Sequence, residues 1–289
     1  MNLKVAVFSD IHGNYVAFER CFEYALGRGV TTFLFLGDYL GELAYPQRTM
    51  ERLYRIAKEY TCYFIRGNKE DYWLNYQASG EKGWTDGDST TGALFYTYSA
   101  LTQKDLDFFA GLPIVRKVEF DDLPSITICH GSPEDAKAKL MEQENMSESL
   151  KDVDSFMVLC GHTHRQGKRF CKDKIVMNPG SVGVPLGSDG KAQFLILQGK
   201  EGAWESEFVS LSYDAEQVIA DLREEKMEQH APCWSIITEK LLRDGKIPHG
   251  RVLNRVMQLV HDDTGEWRWP DLPDKYWTMA MKEFFGGSI

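Results

Sequence analysis

The chain has 289 residues and a net charge of −10, with 43% hydrophobic and 26% charged residues. This length predicts one large domain or two small ones with an ample core. Proteins whose main partner is duplex DNA or an anionic membrane usually carry a basic surface, so the acidic balance argues against both partners.

The first residues, Met1 to Lys4, lead into an apolar run that is too short for a secretory leader. No run in the chain approaches the ~18 apolar residues of a membrane helix. The six cysteines form no CxxC pair, and Cys62, Cys129 and Cys160 lie within or at the end of apolar runs typical of strands. We therefore expect buried, reduced thiols and a cytoplasmic protein.

The first 70 residues alternate between predicted strands and helices. Apolar strands are expected at Leu3–Ser9, Thr32–Leu36 and Cys62–Ile65, with helices at about 14–26 and 46–59 between them. Short apolar strands separated by helices of this length indicate a parallel sheet that is covered on both faces.

The segment from Glu70 to Leu112 is rich in aromatic residues and is predicted to be mostly helical, with Thr102 as the N-cap of its last helix. It lies in sequence between candidate ligands, so a few of its rings are expected to line a substrate cleft.

Strand-like runs return after this segment. Three are expected at Ile114–Phe120, Ser125–Cys129 and Phe156–Cys160, with a charged helix at about Glu134–Leu150 before the third. Further runs follow at Arg169–Met177, Gln193–Leu197 and Glu205–Val209. These runs complete the strand content of a region that we place at residues 1–211.

The remaining residues, 212–289, differ in character and are predicted to form a helical extension packed on this core. Asp214 and Gln217 have the spacing of a capping box, and apolar residues recur at helical intervals between Val252 and Val260. The extension also holds four of the seven tryptophans, which we interpret as core residues, with a lid or a homodimer contact as alternatives.

Polar residues that suit metal ligation follow five of the predicted strands. Residues i and i+2 of an extended segment point to the same side, so each Asp-x-His or His-x-His pair can present two ligands to one point. Because open α/β sheets build their sites at the carboxyl ends of strands, we expect all seven side chains to converge. They are Asp10, His12, Asp38, Asn68, His130, His162 and His164.

Seven nitrogen and oxygen ligands are too many for one tetrahedral ion and suit two ions of coordination number five or six. Such a donor set without thiolate favours Mn, Fe or Zn over Ca, and the sequence does not choose among the three. A two-metal site can polarise a bridging water to hydroxide and stabilise both oxygens of a phosphoryl displacement. The predicted substrate is therefore a phosphate ester.

The motifs SDIHGN, LGDYLG, RGNKE, CHGSPED and CGHTH, with VMNPGSVG after them, resemble the calcineurin-like metallophosphoesterases, especially their compact bacterial branch. The resemblance covers residues 3 to 200 and implies a β-sandwich of two mixed sheets flanked by helices, an α+β fold of four layers. It also implies two metal sites that share Asp38. One would be held by Asp10, His12, Asp38 and His164, and the other by Asp38, Asn68, His130 and His162.

One position departs from the pattern of this family. Many members have His after the Asn of the third motif, where it contacts the phosphate or protonates the leaving group, whereas this chain has Lys69. An ammonium group can stabilise phosphate charge, but it is a poor general acid near neutral pH. We therefore expect a preference for phosphodiesters over phosphomonoesters.

Together these features predict a phosphoesterase that uses two divalent metal ions and a bridging hydroxide on a small phosphodiester or nucleotide-like phosphate. The catalytic roles are assigned to Asp38, Asn68, Lys69 and His130. A protein phosphatase or a dinucleoside-polyphosphate hydrolase is the alternative among enzymes. A non-catalytic scaffold of the same fold, like the retromer subunit, is the alternative from another class.

Overall fold

The computed structural model describes residues 3–286, so the parts of the sequence predictions that concern residues 1–2 and 287–289 lie outside the described residues. Ten strands lie in this part of the chain. They are β1 (Lys4–Phe8), β2 (Thr32–Phe35), β3 (Thr61–Phe64), β4 (Val115–Phe120), β5 (Leu123–Cys129), β6 (Met157–Leu159), β7 (Gly167–Cys171), β8 (Lys174–Asn178), β9 (Ala192–Lys200) and β10 (Ala203–Leu211).

The strands form two mixed five-stranded sheets, as the family resemblance implies. The first sheet has the order β10-β9-β1-β2-β3, in which β1, β2 and β3 are parallel and β9 runs antiparallel to β1. The second has the order β4-β5-β6-β8-β7, with β5, β6 and β8 parallel. The expectation of a purely parallel sheet is therefore wrong, because antiparallel strands flank the parallel strands in both sheets.

The two sheets pack face to face, and β1 shows how the sequence achieves this. Val5 and Val7 join a cluster with residues of the second sheet such as Ile126, whereas Ala6 and Phe8 face the helices on the other side. Successive residues of a strand point to opposite faces, so a strand that is apolar throughout fits a sheet that is buried on both sides.

Eleven α-helices lie in the described residues. They are α1 (Tyr15–Gly27), α2 (Pro46–Glu59), α3 (Asn68–Ala78), α4 (Gly92–Ser99), α5 (Gln103–Gly111), α6 (Met146–Ser149), α7 (Ala215–Glu224), α8 (Met227–His230), α9 (Pro232–Asp244), α10 (His249–Thr264) and α11 (Asp274–Phe285). Thr102 caps α5 as predicted, because its hydroxyl accepts a hydrogen bond from the Asp105 amide.

Three local predictions are wrong. The charged helix expected at Glu134–Leu150 is irregular except for a 3₁₀ turn and the short α6, and Leu140, Met146 and Leu150 from this stretch cover the second sheet. The single run expected at Arg169–Met177 is the antiparallel pair β7 and β8. Asp214 does cap α7, but the Gln217 side chain bonds to Asp221, so no capping box forms.

The helices after residue 211 pack on one another and on loops of the preceding region. Val252, Val256 and Val260 of α10 are buried, as their spacing predicts. The same apolar cluster includes Leu43 and Leu186 from loops that adjoin the sheets. One apolar core therefore contains residues from both sides of the boundary that we predict between residues 211 and 212.

The other expectations concern tryptophans, thiols and membrane helices. Trp234 and Trp277 are buried, whereas Trp267 and Trp269 are exposed, so half of the tryptophans in the extension are core residues. All six cysteines are free thiols, but only three are buried, and Cys62, Cys171 and Cys233 are half-buried. None of the helices within residues 3–286 combines the length and the apolar composition that a bilayer crossing requires.

Candidate metal centre

The seven predicted ligands lie at the carboxyl ends of five strands. Asp10 and His12 follow β1, Asp38 follows β2, and Asn68 begins α3 just after β3. His130 follows β5, and the pair His162 and His164 follows β6. The structure therefore brings all seven side chains to one edge of the sandwich.

The backbone at this edge is strained. The φ angles of five non-glycine ligands lie between 52° and 66°, in the left-handed region that such residues rarely adopt. These residues are Asp10, His12, Asp38, His162 and His164. Strain of this kind persists where the surrounding structure enforces it, and it concentrates at functional sites.

One group of ligand atoms surrounds the first carboxylate. Asp10 Oδ1 lies 3.2 Å from His164 Nε2 and 3.8 Å from His12 Nε2. The two Nε2 atoms are 3.2 Å apart, and Asp38 Oδ2 lies 3.6 Å from His12 Nε2. Asp10, His12 and His164 have the spacing of a metal-binding group.

A second group adjoins the first. His130 Nε2 lies 3.4 Å from Asp38 Oδ1, 3.8 Å from Asp10 Oδ1 and 3.1 Å from Asn68 Oδ1. Asn68 Oδ1 is also 2.8 Å from His162 Nδ1. Asp10 belongs to both metal-binding groups, while Asp38 presents one oxygen to each side.

An unpaired oxygen shows that these residues fit a metal ion. Asp10 Oδ1 is buried without a hydrogen-bond partner, whereas Oδ2 accepts hydrogen bonds from the Ser9 hydroxyl and the His162 amide. Oδ1 instead faces the Nε2 atoms of His164, His12 and His130 at 3.2–3.8 Å, so a cation bound among these four atoms would give the oxygen the close contact that it lacks.

Two histidines are each held through Nδ1, so that Nε2 faces the centre. His130 Nδ1 donates a hydrogen bond to the Leu36 carbonyl at 2.7 Å, and His164 Nδ1 donates one to the Val184 carbonyl at 3.0 Å. Such bonds fix the tautomer and leave Nε2 as the ligand atom, which is the usual arrangement around metal-binding histidines.

The electrostatics of the centre also favour cations. Burial lowers the pKa of His130, but the neighbouring Asp38 and Asp10 carboxylates outweigh it and raise that pKa to about 10. Burial and nearby His130 instead lower the pKa of His162 to about 4. The two aspartates therefore attract positive charge, and His162 offers a neutral nitrogen as a ligand.

Lys69 lies beside the predicted ligands, and its ammonium group is already paired with a carboxylate. Its Nζ forms a close ion pair with the buried carboxylate of Glu42, and the rings of Tyr72 and Trp234 lie within 6.0 Å. Burial lowers the pKa of Lys69, but Glu42 outweighs this effect and holds it above its ordinary value. Lys69 therefore remains protonated near neutral pH.

The structure adds two glutamates that the sequence analysis did not single out. Glu70 accepts hydrogen bonds from the amides of Gly67, Asp38 and Tyr39, and so ties the loop after β2 to the start of α3. The sequence did indicate this role, because Glu70 stands three residues after the N-cap Gly67, which is the spacing of a capping box. Glu42 had no such signal, because its partners Lys69 and His12 are distant in sequence.

The ligands open into a cleft of about 530 Å³. The aromatic segment contributes Tyr72 to its lining, and α4 contributes Ala93 and Leu94. Much of the remaining lining comes from the C-terminal extension, and includes Trp234, Thr238, Leu241, His249, Leu253, Asn254 and Trp269. The extension is thus both part of the core and a wall of the cleft.

Known proteins share this architecture. A curated relative, the uncharacterized protein MJ0912 of Methanocaldococcus jannaschii, is 23% identical over 256 residues, which cover 80% of this chain and 94% of the relative. Crystal structures of hypothetical protein PH1004 from Pyrococcus horikoshii OT3 and of a metallophosphoesterase from Sphaerobacter thermophilus superpose with TM-scores of 0.67 and 0.63. Each is 20% identical and covers 85% of this chain and 100% of its own, so these structures show the fold alone.

The family match is more specific than the structural likeness. The model of the calcineurin-like phosphoesterase superfamily domain matches residues 3–202, which contain all seven predicted ligands and more than half of the chain. The chain therefore belongs to the calcineurin-like phosphoesterase superfamily.

Proposed function

We propose that this protein is a phosphoesterase that uses two divalent metal ions to hydrolyse a small phosphodiester or nucleotide-like phosphate. The observation that carries the proposal is the convergence of two adjacent ligand groups on the unpaired Asp10 Oδ1. Membership of the superfamily supports the reaction class, a phosphoric ester hydrolase.

The chain supplies ligands for both ions. Asp10, His12 and His164 would hold one, and Asn68, His130 and His162 the other, while Asp38 presents an oxygen to each side. When bound, two divalent ions of Mn, Fe or Zn supply Lewis acidity and lower the pKa of a water molecule. The strained backbone and the bonds that orient His130 and His164 keep the ligand atoms in place before substrate arrives.

The diester preference rests on the surroundings of Lys69. A phosphomonoester with a poor leaving group needs a proton donor, and Lys69 is held protonated by Glu42. Another cleft imidazole, His249, is uncharged near neutrality, because burial lowers its pKa to about 3. Neither group is a good general acid at neutral pH, which favours activated diesters.

The test compares bis-p-nitrophenyl phosphate with p-nitrophenyl phosphate, using protein stripped of metal and refilled with Mn²⁺. The wild type should hydrolyse the diester faster, and Asp38→Asn should reduce turnover by at least about 100-fold, since it removes a charged ligand. Asp122→Asn is the matched control, because Asp122 shares the left-handed backbone of Asp38 (φ 59° against 52°) but is exposed in the β4–β5 turn.

The outcomes separate the parts of the proposal. Equal turnover by wild type and Asp38→Asn would contradict the metal centre. Faster hydrolysis of the monoester would contradict the diester preference while leaving the reaction class intact. Metal binding without hydrolysis of either ester would contradict the proposed activity and favour a scaffold.

A further inference from the structure

The candidate ligands occupy only part of the cleft, and the rest has a different chemical character. A cleft of about 530 Å³ falls within the range of sites that enclose drug-sized organic ligands. A phosphoryl group alone would leave most of it unfilled. The remaining lining includes apolar side chains from several elements, among them Leu94 of α4, Leu241 of α9 and Leu253 of α10.

Some of the charges in the cleft are paired and some are not. Lys69 pairs with Glu42, and at the rim Lys139 lies 3.6 Å from Glu142. Arg165 and Arg251 also line the cleft and form no ion pair within residues 3–286. The two arginines suit the anionic head group of an ester, while the leucines leave room for an uncharged substituent beside it.

Two tryptophans of the extension add an aromatic character to this lining. Trp234 is 8% exposed and stacks on His249, with ring centroids 4.5 Å apart. Trp269 also lines the cleft and is 46% exposed. Within residues 3–286 no aromatic ring stacks on Trp269, whereas the nearby Trp267 stacks on His261, with ring centroids 4.4 Å apart.

We infer that the C-terminal extension forms a subsite for an aromatic substituent of the phosphate ester, with Trp269 and Leu253 in contact with that substituent. This inference rests on the proposed function, because the subsite is the continuation of the cleft at the metal centre. Tryptophan offers a large rigid surface that stacks on planar groups, and leucine provides apolar contact. The substrate class is accordingly an aryl or nucleoside phosphate ester.

The test measures binding to the full chain loaded with Mn²⁺ by isothermal titration calorimetry. The two probes are phenylphosphonate and methylphosphonate, which share a head group whose P–C bond a phosphoesterase does not cleave. The wild type should bind phenylphosphonate about tenfold more tightly, as burial of part of a ring predicts. Trp269→Ala and Leu253→Gln should reduce this ratio towards one while leaving the affinity for methylphosphonate unchanged.

Each variant has a matched control in the same element or segment. Trp267→Ala removes a tryptophan that is 58% exposed and does not line the cleft, and it should keep the tenfold ratio. Leu259→Gln changes another half-buried leucine of α10 that lies outside the lining, and it should keep the ratio as well.

Equal affinity of the wild type for the two phosphonates would overturn the subsite and leave the metal centre intact. A ratio that survives in both Trp269→Ala and Leu253→Gln would overturn the assignment to the extension. If neither phosphonate binds the metal-loaded protein, the proposed function fails, and the subsite fails with it.

Discussion

At the scale of single residues, the site depends on close packing as much as on ligand identity. Gly67 precedes the ligand Asn68, and a Cβ at this glycine would collide with Asp38 Oδ1 and approach His130 Nδ1 to 2.9 Å. The backbone of Gly67, at φ −100°, is open to any residue, so the requirement for glycine here is one of space.

Gly67→Ala should therefore reduce turnover of the diester by about 100-fold, because it displaces the Asp38 carboxylate from its position between the two ligand groups. Steady-state kinetics with bis-p-nitrophenyl phosphate measure the effect. Gly27→Ala is the control, since it places a Cβ in open space at the end of α1 and should leave turnover unchanged. Unchanged turnover in Gly67→Ala would contradict the packing argument.

Asp10 contributes both to metal binding and to the stability of the metal-free protein. Burial raises the pKa of Asp10, but His164, His12 and His130 outweigh it and hold that pKa well below its usual range, so Asp10→Asn should lower the free energy of unfolding in EDTA at pH 7 by about 1–3 kcal/mol. Added Mn²⁺ should raise the melting temperature of the wild type and leave that of the variant unchanged. Thermal denaturation in EDTA and in Mn²⁺ gives both quantities, and an equal rise in the melting temperatures of wild type and variant with Mn²⁺ would show that Asp10 is not a ligand.

At the scale of elements, the cap of α5 also joins two helices. Asp105 accepts hydrogen bonds from the Thr102 hydroxyl and amide, from Gln47 of α2 at 2.8 Å and from Tyr54 of α2 at 2.6 Å. Burial raises the pKa of Asp105, but these hydrogen bonds outweigh it and hold the pKa below its ordinary value of 3.8. The ionised carboxylate therefore stabilises the fold.

The sign of the pH dependence follows from this lowered pKa. The stabilisation is present above the unfolded pKa of about 3.8 and is lost as the pH falls through the lower folded value. Asp105→Asn should lower the free energy of unfolding by about 1–3 kcal/mol at pH 7, and the difference from wild type should shrink below about pH 4. Urea denaturation at both pH values tests this.

Asp107→Asn provides the control on the same helix, because Asp107 is exposed and bonds only to Gln103 in the described residues. It should change stability by less than about 0.5 kcal/mol. An Asp105→Asn variant whose deficit is the same at pH 7 and below pH 4 would show that ionisation is not the cause.

Strands and long amphipathic helices were predictable, because the spacing of their apolar residues shows both the type of element and the face that packs on the core. The conformation of residues 134–150 was not predictable. The charged residues of this stretch favour a helix, but its backbone instead follows the packing of Leu140, Met146 and Leu150 against the second sheet. The convergence of the ligands was predictable from their places after strands. The Glu42–Lys69 pair and the approach of His249 were not, because both depend on contacts between distant segments.

At the scale of the whole molecule, the extension shares a core with the region that carries the ligands. Leu43, Ala93, Val184 and Leu186 pack in one cluster with residues of α9, α10 and α11. A protein ending at residue 211 would expose these side chains to water, and exposed apolar patches promote association.

Residues 1–211 alone should therefore aggregate or unfold with low cooperativity, and they should not remain as an active monomer. Size-exclusion chromatography with light scattering and thermal denaturation measure this directly. A monomeric fragment that melts cooperatively and hydrolyses the diester would show instead that the extension is an independent addition.

We expect one chain to bind two metal ions at the edge of the β-sandwich. The number of Mn²⁺ ions bound per chain at equilibrium can be measured by dialysis and elemental analysis on wild type and Asp38→Asn. The wild type should bind two ions and the variant fewer, because Asp38 presents an oxygen to each ligand group. A wild-type value of one or zero, or an unchanged value in the variant, would contradict this expectation.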